Sequence, residues 1–345
     1  MVRFKRIAKN NSGHHRNPFL GLKMMALVVI LIVTIIVSIG LGSLHVPVID
    51  VIKSLIDMGE AKYELILMQL RLPRIVAAVL VGAAMAMAGT MLQALIRNPL
   101  ASPDLMGTTS GATAAVVAAI TIMNGEISVA WLPLAALIGG CFASTLTYML
   151  AWKNGSSPLR MAMIGVAVSS AMGALTIYFT LAGPLHMVSQ ALGWMAGTVY
   201  GTSWKHVLYL APWVVICGGI ALFQSRNLNV LELGDSIAKG VGMRVERKRF
   251  LFIALSVILA SSAVGIAGGI SFVGLMAPHM ARKLVGNNNL VVLAASALIG
   301  ALLVLLADLI GRTVFVPLDV PAGIFTALLG APFFMYLMFR QSNRV

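Results

Sequence analysis

Charge is what this sequence has least of. Only 10% of its 345 residues are Asp, Glu, Lys or Arg, and just 11 are acids. A soluble domain is about 25% charged, so the composition excludes a chain that covers itself with a polar surface. A phosphate-cradling G-x-x-x-x-G-K-[ST] loop is also missing, which excludes ATP hydrolysis by the chain itself. Two cysteines, Cys141 and Cys217, both lie inside apolar blocks and read as small buried hydrophobes, not a disulfide or redox pair. The histidines (His14, His15, His45, His186, His206, His279) are scattered, with no helical His/Asp/Glu cluster at metal-ligand spacing. Methionine pairs such as Met87/Met91 and Met276/Met280 read as pore and core filling in preference to soft-metal ligands. Acids are nearly absent from the apolar blocks, Asp308 being the one clear case. That disfavours a proton- or sodium-coupled secondary transporter, which needs ionisable groups at mid-membrane. An integral membrane enzyme is disfavoured because no nucleophile–base or metal constellation is present.

What the chain does have is apolar runs: 59% of residues are hydrophobic and the mean hydropathy is +0.94. The runs are about as long as a bilayer is thick, roughly 20 helical residues each. Ten spans are expected, near 24–44, 75–96, 105–123, 131–152, 161–182, 206–225, 250–268, 271–286, 290–312 and 321–339. The fold class is therefore an all-α integral membrane protein. Residues 1–23 form a basic tail, residues 24–340 one transmembrane domain, and residues 226–249 its long polar loop. The first run follows six basic residues and lacks a small-residue cleavage site, so it is expected to be a retained helix and not a signal peptide.

The net charge of +14 would suggest nucleic acid in a soluble chain. Here the basic residues sit between apolar blocks, so no nucleic-acid partner is expected and the bilayer is the surrounding phase. With the N-terminus inside, 19 of the 25 Lys and Arg fall on the cytoplasmic side and six outside (Lys53, Lys62, Arg71, Arg74, Lys205, Arg312). That asymmetry obeys the positive-inside rule and places both termini in the cytoplasm. Local chemistry marks boundaries. Ser102-Pro103-Asp104 reads as cap, first-turn proline and first-turn acid, and Ser157-Pro158 repeats the device. Asn98-Pro99 ends the second span, because proline removes a donor and restricts the residue before it, so an inner elbow is expected. Pro278-His279 does similar work in the eighth span, with His279 a hydrogen-bonded structural residue. Small residues at four-residue spacing, Gly165-Ser169-Gly173 and Gly265-Gly269, imply close helix packing. Asp308 and Arg312 are spaced for an i, i+4 ion pair. Ala88-Gly89 precedes Pro99 by the interval that separates Ala267-Gly268 from Pro278, a hint of two related halves.

Within 226–249, Leu233, Ile237 and Val241 recur at i, i+4, i+8, with Asp235, Ser236 and Lys239 on other faces. Gly234, Gly240 and Gly242 break the segment into short pieces. The pattern is a small amphipathic helix that lies on lipid or docks into a groove on another protein, and the glycines favour docking.

Several segments together resemble the FecCD-type permeases of ABC importers for iron–siderophore complexes, haem and cobalamin. They are LRLPR at 70–74, GAAMAMAGTMLQALIRNPLASPDLMG at 82–107, QALGWMAGTVYG at 190–201 and LNVLELGDSIAKGVG at 228–242. GGISFVGLMAPHMAR at 268–282, LLADLIGR at 305–312 and DVPAGIFTALLGAPFF at 319–334 follow in family order. One departure is Asn287-Asn288-Asn289, where related chains often carry a charged Asp-His-Arg-like stretch. The resemblance implies the type II importer permease fold and a subunit that pairs with a second permease, identical or paralogous. It further implies a cytoplasmic ATPase dimer that holds the ATP and magnesium, no cofactor on this chain, and an external solute-binding protein. The implied setting is a bacterial cytoplasmic membrane, and the implied cargo a ferric siderophore or similar chelate, with haem and cobalamin as alternatives. Residue by residue, it implies docking of the binding protein at Arg71, Arg74 and Arg312. ATPase coupling is implied at Leu233, Gly234, Asp235, Ala238 and Gly242. Structural or pathway roles fall to Gln93, Asn98, Pro99, Pro103, Gly107, Pro278, His279, Arg282, Asp308, Pro321, Gly323 and Pro332.

The charge asymmetry generates a direct test. Cysteines placed singly in 226–249 are expected to react with a membrane-impermeant thiol reagent only when the cytoplasmic face is exposed. Labelling from outside intact cells would overturn the ten-span topology.

Overall fold

The computed structural model describes residues 19–42, 65–152 and 158–342. Most of the basic tail, Lys53, Lys62, His14, His15, His45 and Ser157 lie outside the described residues. The described residues form thirteen α-helices and no strand. They are α1 (Leu20–Gly40), α2 (Leu72–Ile96, entered through a wide π-helical turn, Leu65–Arg71), α3 (Thr108–Ile122), α4 (Leu132–Ala151) and α5 (Pro158–Ala182). Next come α6 (Leu185–Met195), α7 (Trp204–Phe223), α8 (Ser225–Glu232) and α9 (Asp235–Gly240). The last four are α10 (Val245–Ala267), α11 (Val273–Val285), α12 (Asn289–Thr313) and α13 (Ala322–Ser342).

Each of the ten expected spans coincides with one helix. Seven are long and apolar enough to cross a membrane by length and composition alone. The three short ones are α3, α11 and the apolar part of α13. Three helices have no counterpart in the expected spans, one of them α9, the amphipathic helix expected within the polar loop. Helix α6 is short, and α8 lies in the polar loop, where its charged residues hide it from a hydropathy reading.

Helix α2 is the axis of the packing. It is buried along nearly its whole length and touches α7, α10, α11 and α12. Lipid supplies no hydrophobic drive between helices, so contact is won by bringing backbones close. At Gly82 an added Cβ would collide with the backbone of Gly300 on α12, and the reverse is also true. At Gly89 it would strike the carbonyl of Gly274 on α11. Pro278 has no N–H to offer that carbonyl four residues earlier, so the face of Gly274 is left open to α2. Pro278 thus sits inside α11 and shapes a crossing; it is not the boundary expected from sequence. Gly111 and Gly139 make the equivalent crossing of α3 with α4, and Gly265 packs on Pro133.

Of the expected Gly165-Ser169-Gly173 stripe, Gly165 meets the Leu105 carbonyl and Ser169 Oγ donates to Asp104 O at 2.7 Å. Gly173 has nothing within 4 Å. The packing stripe therefore ends one turn earlier than its spacing suggests, because the element it packs on is a short turn. Met87 and Met91 are buried in the core beside Gly218 and the inner face of α2, as packing residues. Cys141 and Cys217 are both free thiols.

Helix α1 is attached chiefly at its ends. Near its start Lys23 Nζ donates to Leu284 O at 2.8 Å, and near its finish Arg71 and Arg312 take its last carbonyls. Most of its flank is uncovered.

These crossings set the expectation for two glycine substitutions. Gly89→Ala forces apart α2 and α11 and is expected to lower the unfolding temperature of the purified protein in detergent. Gly173→Ala meets open space and is expected to leave it unchanged or slightly raised, since alanine is the better helix former. Equal behaviour of the two would refute the close crossing.

Candidate functional site

Polar groups gather at the two ends of the bundle, in the partition that the spans require. At one end stand Arg71, Arg74 and Arg312 with Asp308, Asp319 and Tyr200. Arg74 donates Nε to Asp308 Oδ1 at 2.8 Å and forks onto both oxygens of Asp319 at 2.6 and 2.8 Å. Its guanidinium also lies over the Tyr200 ring, 5.4 Å from the centroid. Arg312 reaches Asp308 only at 3.4 Å. It donates to Leu41 O and Ser38 Oγ, each at 2.6 Å, and to Ser38 O. Arg71 donates to Ile39 O at 2.7 Å and Gly40 O at 3.2 Å. Two cations thus cap the carbonyl end of α1, where the helix dipole is negative.

This geometry adds a partner to the expected pair. The i, i+4 pair of Asp308 and Arg312 exists, but Asp308 is held more closely by Arg74. Arg71, Arg74 and Arg312 are 7%, 9% and 9% exposed and turned into the protein. What they present is one wall of an open depression of about 460 Å³ that Tyr200 and Asp319 also line.

At the other end, α9 carries the amphipathic pattern. Leu233, Ile237 and Val241 are 64%, 52% and 68% exposed, while Ala238 is fully buried beneath them. Gly234 and Gly242 bracket the helix with φ of 111° and 80°, conformations that glycine adopts without a Cβ clash. Asp235 does not face outward with the apolar triad. Arg249 holds both its oxygens, at 2.8 and 2.9 Å, and Arg97 approaches at 3.5 Å. The segment is a small apolar knob latched from behind to α10 and to the end of α2.

Beside the knob, Gln93 on α2 accepts from Arg282 Nη1 and donates to Leu275 O at 3.3 Å, tying α2 to α11. Asn289 is buried and joins the start of α12 to α8: its N–H donates to Asn229 Oδ1 at 2.9 Å and its Nδ2 to Glu232 Oε2 at 2.8 Å. Asn288 caps α12 through Leu290 N–H. The asparagine run is therefore a structural latch.

The elbow after α2 differs from expectation. Helix α2 stops at Ile96, Arg97 turns left-handed, and Asn98 Oδ1 accepts from Leu100 N–H across Pro99. Ser102 makes no capping bond to a backbone N–H. Pro103–Met106 is instead one 3-10 turn, and α3 starts only after Gly107, whose φ is 73°. His279 packs edge-on against Phe333, near Pro332. Pro321 precedes α13, and Gly323 N–H donates to Gly197 O at 2.8 Å, an approach that a Cβ would block.

Asp319, Arg249, Tyr200 and Asn289 were missed in the sequence, as was the depth of Asp104. Scarcity was the usable signal: with so few acids, each one has a structural partner to be sought.

The whole arrangement agrees with known proteins. The family model of the FecCD transport family matches residues 30–340. YfhA of Bacillus subtilis, named a probable siderophore transport system permease protein, is 46% identical over 90% of this chain and 92% of its own. The Fe(3+) dicitrate transport system permease protein FecD of Escherichia coli is 39% identical over 92% of this chain and all of its own. Among solved structures, an inward-facing ABC transporter of metal-chelate type superposes with a TM-score of 0.83 at 32% identity. That match covers 92% of this chain and 98% of the other.

The charge cluster around Asp308 generates a stability prediction. Removing one member of a buried ion pair costs about 3–5 kcal/mol, so Asp308→Ala is expected to destabilise the purified protein severely. Asp235→Ala, which removes a partly exposed carboxylate and leaves Arg249 its pair with Glu246, is expected to cost much less. Chemical unfolding in detergent measures both, and similar losses would contradict the difference in burial.

Proposed function

The chain belongs to the FecCD transport family, and from that premise we propose that it is the membrane-spanning permease of an ABC importer for ferric siderophores or similar iron chelates. The observation that carries this reading is agreement in both sequence and fold over nine-tenths of the chain with metal-chelate ABC permeases. It is a multi-pass bacterial membrane protein, with residues 24–340 as one permease domain and both termini in the cytoplasm. ATP and magnesium belong to a partner ATPase dimer, and a second permease subunit completes the pathway.

The knob formed by Leu233, Ile237 and Val241 is the contact for the ATPase. An exposed apolar helix face with a latched back suits insertion into a groove. Asp235 and Arg249 transmit its displacement to α10, and Arg97 to α2. The depression walled by Arg71, Arg74 and Arg312 is the contact for the extracytoplasmic binding protein. A carboxylate entering it meets guanidinium groups already oriented by their bonds to α1 and the two aspartates.

One reconstitution tests the reading. In proteoliposomes with the cognate ATPase and binding protein, uptake of radiolabelled ferric chelate is expected to require ATP and to ignore proton and sodium gradients. Replacing Leu233, Ile237 and Val241 by serine is expected to abolish uptake while the chain still inserts. Arg71→Glu is expected to weaken capture of the binding protein, and the wild-type contact is expected to weaken as salt rises. Gradient-driven uptake without ATP would overturn the proposal.

A further inference from the structure

The 3-10 turn Pro103–Met106 lies deeper than its place in the sequence suggests. A Cβ built on Gly274 would sit 3.1 Å from Pro103 Cδ and 2.9 Å from Met85 O. The turn is therefore level with the part of α2 around Met85, more than two helical turns before Ile96. Counted at 1.5 Å per residue, it stands about 10–16 Å inside the end of that helix. Helix α5 gives the same depth: Leu105 packs on Gly165 and Gly107 on Val168, seven and ten residues after α5 begins. The shortness of α3 agrees as well. Its 15 residues span about 22 Å, too little for a bilayer core of about 30 Å, because it starts inside.

The chain thus re-enters the membrane, and Asp104 rides on the turn. Asp104 is half-buried and lines a cavity of about 600 Å³ with Asn98, Ser102 and Ser271, between walls that include Phe272 and Phe334. Ser102 Oγ donates to Asp104 Oδ2 at 3.4 Å. Among the described residues Asp104 forms no ion pair. Non-helical backbone and a carboxylate at this depth are tolerated where they face protein or water, not lipid. The open side of the cavity therefore faces protein or water, not lipid.

We propose that this cavity is a polar subsite of the translocation pathway and that Asp104 makes it select cargo by charge. All four of its side chains offer hydrogen-bond acceptors, and the one charge among them is negative. Neutral or cationic chelates rich in N–H and O–H donors are favoured, and polyanionic chelates are held back. This rests on the proposed import function for its cargo, whereas the existence of an aqueous, negative cavity does not.

The test uses the assembled importer in proteoliposomes, with Cys141→Ala and Cys217→Ala, and with Leu100→Cys as the reporter in the cavity. Its reaction rates with cationic and anionic methanethiosulfonates are each divided by the rate with a free thiol. With Asp104 present the cationic reagent is expected to be favoured about three- to tenfold. Asp104→Asn is expected to bring the ratio to about one, and Asp104→Glu to keep it. Absence of labelling by either reagent, or a ratio of one with Asp104 in place, overturns the subsite. The second arm compares uptake of radiolabelled iron as a cationic trihydroxamate chelate and as ferric citrate. Asp104→Asn is expected to lower the ratio of the first to the second, and an unchanged ratio overturns selection by charge. Should the complex carry no ferric chelate of any kind, the import reading fails, while the labelling ratio still decides the subsite.

Discussion

The structure depends on how closely other backbones can approach α2. In water a helix bundle is held together by expelling solvent from its apolar faces, but in lipid both sides of that exchange are equally apolar. Attraction then rests on dispersion, which fades over fractions of an ångström. Gly82 against Gly300 and Gly89 against Gly274 supply that proximity, and the second also relies on the donor that Pro278 lacks. With α2 fixed against α11 and α12, the remaining polar elements fall at the two ends of the bundle and along the re-entrant turn.

Charge follows the same economy. Five of the described acids are gripped by an arginine or an asparagine: Asp308 and Asp319 by Arg74, Asp235 and Glu246 by Arg249, Glu232 by Asn289. Arginine donors also go to helix carbonyls, as those of Arg71 do to Ile39 and Gly40. Such groups hold elements at set distances and leave few ionisable sites in the spans. Asp104 stands apart, since its neighbours are hydroxyls, an amide and an opening.

Much of this was legible in the sequence. Apolar block length located ten helices because a bilayer imposes a minimum span, and the positions of arginine and lysine set an expected orientation for them. The apolar triad of α9 was visible because a helix repeats its face every three or four residues. The outcome at Asp235 was not, since a residue on the polar face of a helix can meet solvent or a distant Arg249 with the same local pattern. Nor was the depth of the elbow. Proline and asparagine announce that a helix stops, but where the chain goes next is set by Gly274 and Gly165, far along the sequence. The ion pair at Asp308 was half legible: spacing found Arg312, whereas Arg74 lies 234 residues away.

The attachment of α1 at its two ends bears on how the protein is made. Among the described helices this one is made before the others, yet its ties to Leu284 and Arg312 join residues separated by 261 and 274 positions. At ordinary elongation speeds of about 5–20 residues per second, roughly 15–55 s pass before those partners exist. For that interval α1 waits in the bilayer with little beyond the short-range tie to Arg71. Its mean hydropathy of 2.8 lets it do so without a neighbour, while buried α2, with its glycines, gains its place only when later helices arrive. Assembly of the described bundle therefore closes a clasp, in which α11 and α12 return to fasten a helix made long before them.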